Sequence, residues 1–337
     1  MKFKKILILL LFVSLLMVST MLVYGNSISW TGTWTTGGMG GSWYSQAISF
    51  TEIIQREEPG IVIRCIPGGG IANIPLVDSG DAELGFTITP FSYIATKGED
   101  PFKTSYLNIR SIAGSFMDSP YNFLAGKEKG IKTVEEFIQL IKDGKPVRLV
   151  TSPVGTTVEF ILGKILEYYD VTYDDITKNG GKVTFIDQDE QISLMTDRHA
   201  DFWAISQAAP SAEIMQVLVN RELQFLELSD DILQYLAQTY NFAMGKIPAK
   251  AYPGTLEEDL DNLIAGSSII VNKSVPEEVV YAITKILNEN AEELYKVSSF
   301  AECFDPKTAG QKGMVGVPLH PGAERYYKEQ GYSYYNE

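Results

Sequence analysis

The chain has 337 residues, with 28 Lys and Arg against 42 Asp and Glu, for a formal net charge of −14. A chain this acidic repels phosphate backbones, which excludes nucleic acid as a partner. It does not exclude a small anionic ligand, because local backbone dipoles set the potential of a pocket.

Lys2, Lys4 and Lys5 are followed by Ile6 to Tyr24 without a charge. With Val23 and Gly25 at the −3 and −1 positions, residues 1–25 read as a secretory signal peptide, so the expected location is extracytoplasmic. The alternative is a retained membrane anchor, since 19 apolar residues nearly reach a span. The remaining length is too great for one typical core and predicts two domains.

Beyond the leader, short apolar strands alternate with amphipathic helices, as in an α/β fold with parallel sheets. Ser27 to Thr35 reads as the first strand. Trp43, Ala47, Phe50 and Ile54 lie at helical spacing before Pro59-Gly60. Strands are expected at Ile61 to Ile66, Glu83 to Ile88 and over Arg110 to Ala113, with a short helix from Ala72 to Ser79. A second β-α-β-α-β set follows. It comprises a strand at Val147 to Thr151, a helix marked by Val158, Ile161, Leu162, Ile165 and Tyr169, a strand at Val183 to Ile186, a helix over Gln191 to Met195, and a strand at Asp201 to Ile205.

Two strand–helix segments echo each other. Tyr121 to Ala125 precedes Thr133 and Glu136, and Ser268 to Val271 precedes Ser274 and Glu277. Both openings are capping boxes in sequence. These are expected crossing points between two lobes, placing residues 26–118 plus 265–337 in lobe one and 119–264 in lobe two. The expectation is a two-lobed, type II periplasmic-binding-protein-like α/β fold with its ligand cleft between the lobes.

Glycine-rich turns stand at the predicted strand ends. In Thr36 to Tyr44, Gly37, Gly38, Gly40 and Gly41 let backbone amides approach a ligand, and Ser42 and Tyr44 add hydroxyl donors. The helix start that follows supplies unpaired N–H groups and a partial positive charge. No Gly-Lys-Ser/Thr follows, so this is not a P-loop. Gly68, Gly69 and Gly70 with Asn73 repeat the arrangement, and the stretch from Ser152 through Gly155, Thr156 and Thr157 occupies the matching place in lobe two. Trp203, on the strand Asp201 to Ile205, faces either the cleft or the core, because alternation cannot say which face is which; Thr89, Trp203 and Gln207 complete the expected ligand contacts.

Catalytic and metal motifs are absent. His199 and His320 have no metal-ligand spacing, no nucleophile elbow occurs, and Asp174-Asp175 and Asp230-Asp231 read as loop carboxylates. No enzyme activity, metal or cofactor is expected, and the protein is expected to be a monomer. Cys65 and Cys303 are expected as thiols, a bridge needing Cα atoms within about 7 Å.

These residues resemble the TAXI family of solute receptors, the extracytoplasmic partners of TRAP transporters. The likeness covers nearly the whole mature chain. The pattern T-G-G-x-G-G-x-Y-Y matches Thr36 to Tyr44, with Met39 and Trp43 as variations. G-G-x-x-x-N matches Gly68, Gly69 and Asn73, and S-G-x-A-D-L-G-F appears as Ser79 to Phe86 with Glu83 for Asp. The block Leu319 to Glu329 is the most specific match and marks His320 as a structural feature. The resemblance implies a receptor that closes over its ligand and docks on a membrane TRAP permease. It also implies ligands of the glutamate, glutamine and 2-oxoglutarate type, held without an arginine clamp. A ligand-sensing receptor for a membrane signalling protein is the alternative role. Departures fall at ligand positions. Pro153-Val154-Gly155-Thr156-Thr157 stands where P-G-S-G-T is usual, Ile88 and Thr89 replace a Gln-Ser pair, and Ala208 replaces the glycine two places before Pro210.

Overall fold

The computed structural model describes residues 28–297 and 303–335. The expected leader, residues 1–25, lies outside them, as does Ser27 of the predicted first strand. No described helix is long and apolar enough to cross a membrane.

In chain order the elements are β1 (Trp30–Thr35), α1 (Ser42–Glu57), β2 (Ile61–Ile66), α2 (Asn73–Ser79), β3 (Leu84–Ile88), α3 (Thr89–Lys97) and β4 (Ile109–Gly126). Then come α4 (Val134–Lys142), β5 (Arg148–Thr151), α5 (Thr157–Tyr168), α6 (Tyr173–Lys178), β6 (Lys182–Phe185), α7 (Gln188–Thr196) and β7 (Phe202–Ser206). The remainder is α8 (Ala212–Leu218), β8 (Leu223–Phe225), α9 (Asp230–Tyr240), β9 (Ala243–Ile247), β10 (Leu260–Asn272), α10 (Glu277–Glu289), α11 (Ala291–Val297), α12 (Lys312–Val315) and α13 (Pro321–Gln330).

The strands run in the order β2-β1-β3-β10-β4-β7-β5-β6, with β8 on β4 and β9 on β10. The parallel trio β2-β1-β3 builds the first lobe and the parallel trio β7-β5-β6 the second. Both join through antiparallel pairing to the long strands β4 and β10. The segments over Arg110 to Ala113 and Tyr121 to Ala125, which read as separate strands, are one 18-residue strand. Its interior looks loop-like for local reasons. Ser115 has a φ of 63°, and Pro120 sits in the ladder opposite Ile264 with no N–H to give. The β4–β10 register slips between Gly266 and Ser268, a bulge of the kind that bends a strand pair between the lobes.

Helix faces follow the apolar spacing. On α1, Ala47, Phe50, Ile53 and Ile54 are buried against the first-lobe sheet, and Pro59-Gly60 stops the helix. The first-lobe core gathers Trp34, Phe50, Phe86 and Phe116 with Ile283 and Tyr327 from the C-terminal helices. Behind the cleft the two lobes share apolar contacts. The Phe91 ring on α3 meets Phe160 on α5 edge-on at 5.1 Å and Phe242 at 6.0 Å.

Only one predicted capping box is half realised. Thr133 accepts from Glu136 N–H at 3.2 Å, but Glu136 Oε2 accepts from Lys132 rather than from the cap. The second is not formed: α10 begins after Pro276, and the Ser274 hydroxyl donates to Asn272 Oδ1 at 2.6 Å. Asp174-Asp175 and Asp230-Asp231 lie in the first turns of α6 and α9 rather than in loops. Cys65 and Cys303 are thiols. Cys65 Sγ lies 3.4 Å from Thr51 Oγ1, and Cys303 donates to the Ser115 carbonyl at 3.2 Å.

His320 is buried and caps α13, its Nδ1 accepting from Gly322 N–H at 3.2 Å. Burial holds the imidazole below its ordinary value, against the raising effect of the Lys273 and Val275 backbone and of Glu277. A base depressed on folding leaves the unfolded chain with more bound protons below about pH 6.5, so stability is lost as pH falls through that point. Denaturant unfolding of wild type and His320→Asn is expected to diverge in this window, with a flatter profile for the variant. Parallel profiles would remove His320 from this role.

Candidate functional site

Three turns converge between the lobes, and hydrogen bonding fixes how. The first and second are laced together: Thr36 N–H donates to the Ile66 carbonyl at 3.0 Å, and Gly68 N–H donates to the Gly37 carbonyl at 3.1 Å. Asn73, wholly buried, holds both. Its Nδ2 donates to the carbonyls of Thr36 and Phe86, each at 2.7 Å, and of Thr35 at 3.2 Å, while its Oδ1 accepts from Gly69 N–H and Thr35 Oγ1. Asn73 was expected at the ligand and is instead the bracket behind the turns. Its removal strands several buried backbone groups, each costing about 1–3 kcal/mol. Asn73→Ala is therefore expected to lower unfolding free energy by about 2–4 kcal/mol, read from the urea midpoint at unchanged slope. A loss under about 1 kcal/mol would contradict the bracket.

The third turn comes from the second lobe and touches the second directly. The Gly155 carbonyl accepts from Ile71 N–H at 3.2 Å and Ala72 N–H at 3.3 Å. Gly155 takes the left-handed conformation (φ 87°) that aims this carbonyl outward from its own turn. A side-chain relay forms another contact: Ser42 Oγ donates to Gln207 Oε1 at 3.1 Å, and Gln207 Nε2 donates to Gln188 Oε1 at 2.9 Å. The cleft is thus closed.

Inside it lies a cavity of about 110 Å³. An apolar cavity of about 150 Å³ takes a benzene molecule, so this one suits a ligand of a few heavy atoms. Of the expected site residues, Gly37, Gly38, Gly41, Ser42, Gly69, Gly70, Thr156, Thr157 and Gln207 line it. Sequence reasoning missed Trp43, Met117, Ser119, Gln188 and Ser206, and counted Ser152 only as part of its turn. Trp43 forms an apolar wall, stacked on Phe86 at 5.5 Å. Met117 and Ser119 arrive on β4, which the broken reading of that strand concealed.

Six expected contacts do not line the cavity, Asn73 among them. Trp203 is fully buried among Leu124, Val150 and Ile205, its Nε1 donating to Gln191 Oε1 at 2.8 Å. Strand alternation could not tell this face from the cleft face. The Thr89 hydroxyl is spent on the Met314 carbonyl at 2.7 Å. Gly155 makes the contact between lobes, Gly40 faces Asp189, and Tyr44 has turned past the cavity on the first turn of α1.

Two polar atoms at the cavity have no protein partner although they are buried: Thr157 Oγ1 and Gln188 Nε2. Buried polar groups are almost always paired, so each points to a missing acceptor. The neighbouring hydroxyl is already committed. Thr156 Oγ1 accepts from Glu159 N–H and donates to the Pro153 carbonyl at 2.8 Å, which makes Thr156 the helix cap and leaves Thr157 unspent. Across the cavity, α1 begins at Ser42, and its N-cap residue Gly41 provides no side-chain cap. No charged side chain of the described residues lines the cavity. Arg148 and Arg221 are engaged elsewhere in the second lobe, Arg148 with Asp201 and Arg221 with Glu128 and two backbone carbonyls.

The sequence profile of the NMT1-like family matches residues 34–331. Among solved structures, the malate-bound MatC protein of Rhodopseudomonas palustris is 11% identical with a TM-score of 0.56, over 89% of this chain and 97% of that one. The periplasmic binding protein BugD is 12% identical with a TM-score of 0.52, over 91% of this chain and 94% of that one. At such identities the likeness is one of fold: a mixed α/β periplasmic-binding-protein fold with a cleft between lobes.

Proposed function

The chain belongs to the NMT1-like family, and we propose that it is an extracytoplasmic solute-binding receptor. On this reading it takes a small anionic solute, of carboxylate or amino-acid type, into the cleft and delivers it to a membrane permease of the TRAP class. It works as a monomer and does no chemistry on the solute. The observation that carries the reading is the buried, unpartnered Thr157 hydroxyl facing a cavity whose opposite wall is an uncapped helix start. Helix N-termini favour anions without any basic side chain. The fold shared with periplasmic binding proteins, and the malate held by one of them, support the assignment. The TAXI-like motifs from Thr36 to Tyr44 and from Leu319 to Glu329 support the TRAP partner.

Native mass spectrometry of the freshly purified protein is expected to show a small adduct that leaves on denaturation. Scattering before and after removal of that solute is expected to give a smaller radius for the loaded form, as hinge closure requires. A protein that carries no adduct, and whose radius ignores every solute offered, would overturn the receptor reading.

A further inference from the structure

Helices α1, α5 and α7 open on the cavity with Ser42, Thr157 and Gln188 on its wall, α3 opens beside it after Ile88, and these starts are electrically unequal. Helix α1 has neither a side-chain cap nor an acidic residue in its first turn. Its leading N–H groups and positive pole are uncompensated. Helix α5 carries its own compensation: Thr156 caps it, Glu159 stands in its first turn, and Glu159 Oε2 accepts from Gly155 N–H at 3.4 Å. Helix α7 has Asp189 and Glu190 in its first turn, and the first turn of α3 includes Pro90, which has no N–H to give. The start of α1 is therefore the strongest pole for an anionic group.

Everything else on the wall is neutral. Thr157, Gln188, Ser152 and Ser206 supply amide and hydroxyl groups, and Trp43 and Met117 supply apolar surface. An ammonium group would meet no carboxylate on the wall, and a second carboxylate would meet no second pole as open as that of α1; either charge would be buried poorly paired. Two carboxylates do come near. Asp187 Oδ1 lies 3.0 Å from the place of a Cβ on Gly38, and Asp189 Oδ2 lies 2.7 Å from that of Gly40, but neither lines the cavity. Their charge opposes a dianion passing the first turn.

Resting on the receptor reading, we infer that the cleft selects a small monocarboxylate bearing a neutral polar substituent, a hydroxyl or a carbonyl, and rejects both amino acids and dicarboxylates. The single carboxylate sits at the start of α1. The neutral substituent accepts from Thr157 Oγ1 and Gln188 Nε2, the two buried donors left without partners. Thr157 is only 8% exposed, so solvent does not replace that acceptor. The size agrees, since about 110 Å³ leaves no room for a long chain.

Calorimetric titration of the solute-free, full-length mature protein tests this with four probes: L-lactate, pyruvate, L-malate and L-glutamate. Lactate or pyruvate is expected to bind at least about 30-fold more tightly than malate or glutamate, the discrimination expected when a buried charge is left poorly paired. Gln188→Glu, which puts a like charge on the wall, is expected to weaken lactate or pyruvate at least tenfold, as a lost charge-compatible contact of about 1.4 kcal/mol would. Malate or glutamate binding as tightly as the monoacids would overturn the class and leave the receptor reading intact. The class falls in the same way if no probe binds at about 10 mM while the protein carries a different solute from its host. If no probe binds and no solute is carried, both readings fall.

Discussion

Replacing Thr157 by alanine is expected to weaken solute binding by about 5- to 150-fold. Its loss leaves the polar substituent of the solute buried without a donor, which costs about 1–3 kcal/mol, and each 1.4 kcal/mol is about a decade in affinity. The structure separates this effect from helix capping, because the cap is Thr156 and the Thr157 hydroxyl has no partner in the protein. Thr157→Ala is thus expected to leave the urea midpoint nearly unchanged. Thr156→Ala is its mirror image: it should cost about 1 kcal/mol of stability through the lost cap and move affinity less. Titration of both variants with the solute recovered from the native protein distinguishes them. An affinity change below threefold in Thr157→Ala would remove that hydroxyl from the site.

A single methyl group at Gly69 is expected to hold the cleft open. The Cβ it adds would lie 2.9 Å from the Gly155 carbonyl oxygen and 3.2 Å from Thr156 Cγ2, both on the opposite lobe. The first of these is closer than real Cβ atoms approach, and the obstructing atom is backbone that cannot swing aside. Gly69 does not sit in left-handed backbone, so alanine fits the local chain and the first lobe folds normally. Closure alone is blocked. The Ile71 and Ala72 amides then lose the Gly155 carbonyl, and the cavity loses its second-lobe wall. Gly69→Ala is expected to lose binding by at least 100-fold, about 2.7 kcal/mol, and to scatter with the solute-free radius at any solute concentration. Binding within threefold of wild type would show that the lobes do not need this contact.

Much of the fold was legible because it is local. The apolar spacing from Val158 to Ile165 marked α5, whose buried face includes Val158, Ile161, Leu162 and Ile165. The glycine clusters marked two of the turns, since few other residues let a backbone bend so tightly beside a helix start. The merged strand β4 was not legible, because Ser115 and Pro120 carry loop signals that only the pairing with β10 overrides. That break hid Met117 and Ser119 from the site. Asn73 stood out in the sequence, but its role did not. Its position is compatible with facing a ligand or the turn backbones, and only the contacts decide. Gln188 had no signal of its own. It reaches the cavity because α7 begins three residues earlier than its apolar residues announce, and because its amide meets that of Gln207.

The place of β10 in the sheet governs the order in which the chain can become a protein. β10 lies between β3 and β4, yet it is made of residues 260–272, long after both neighbours. A chain still emerging from a ribosome or a membrane pore holds β3 with one ladder edge bare until those residues arrive. The first-lobe core waits as well, since Ile283 and Tyr327 follow later still. The β5-β6-β7 unit needs nothing from beyond β10 and can condense while the earlier part of the chain is loose. Late completion of this kind raises the mean sequence separation of contacts, which slows folding. The earliest third of the chain thus stays uncommitted until the last quarter has been delivered.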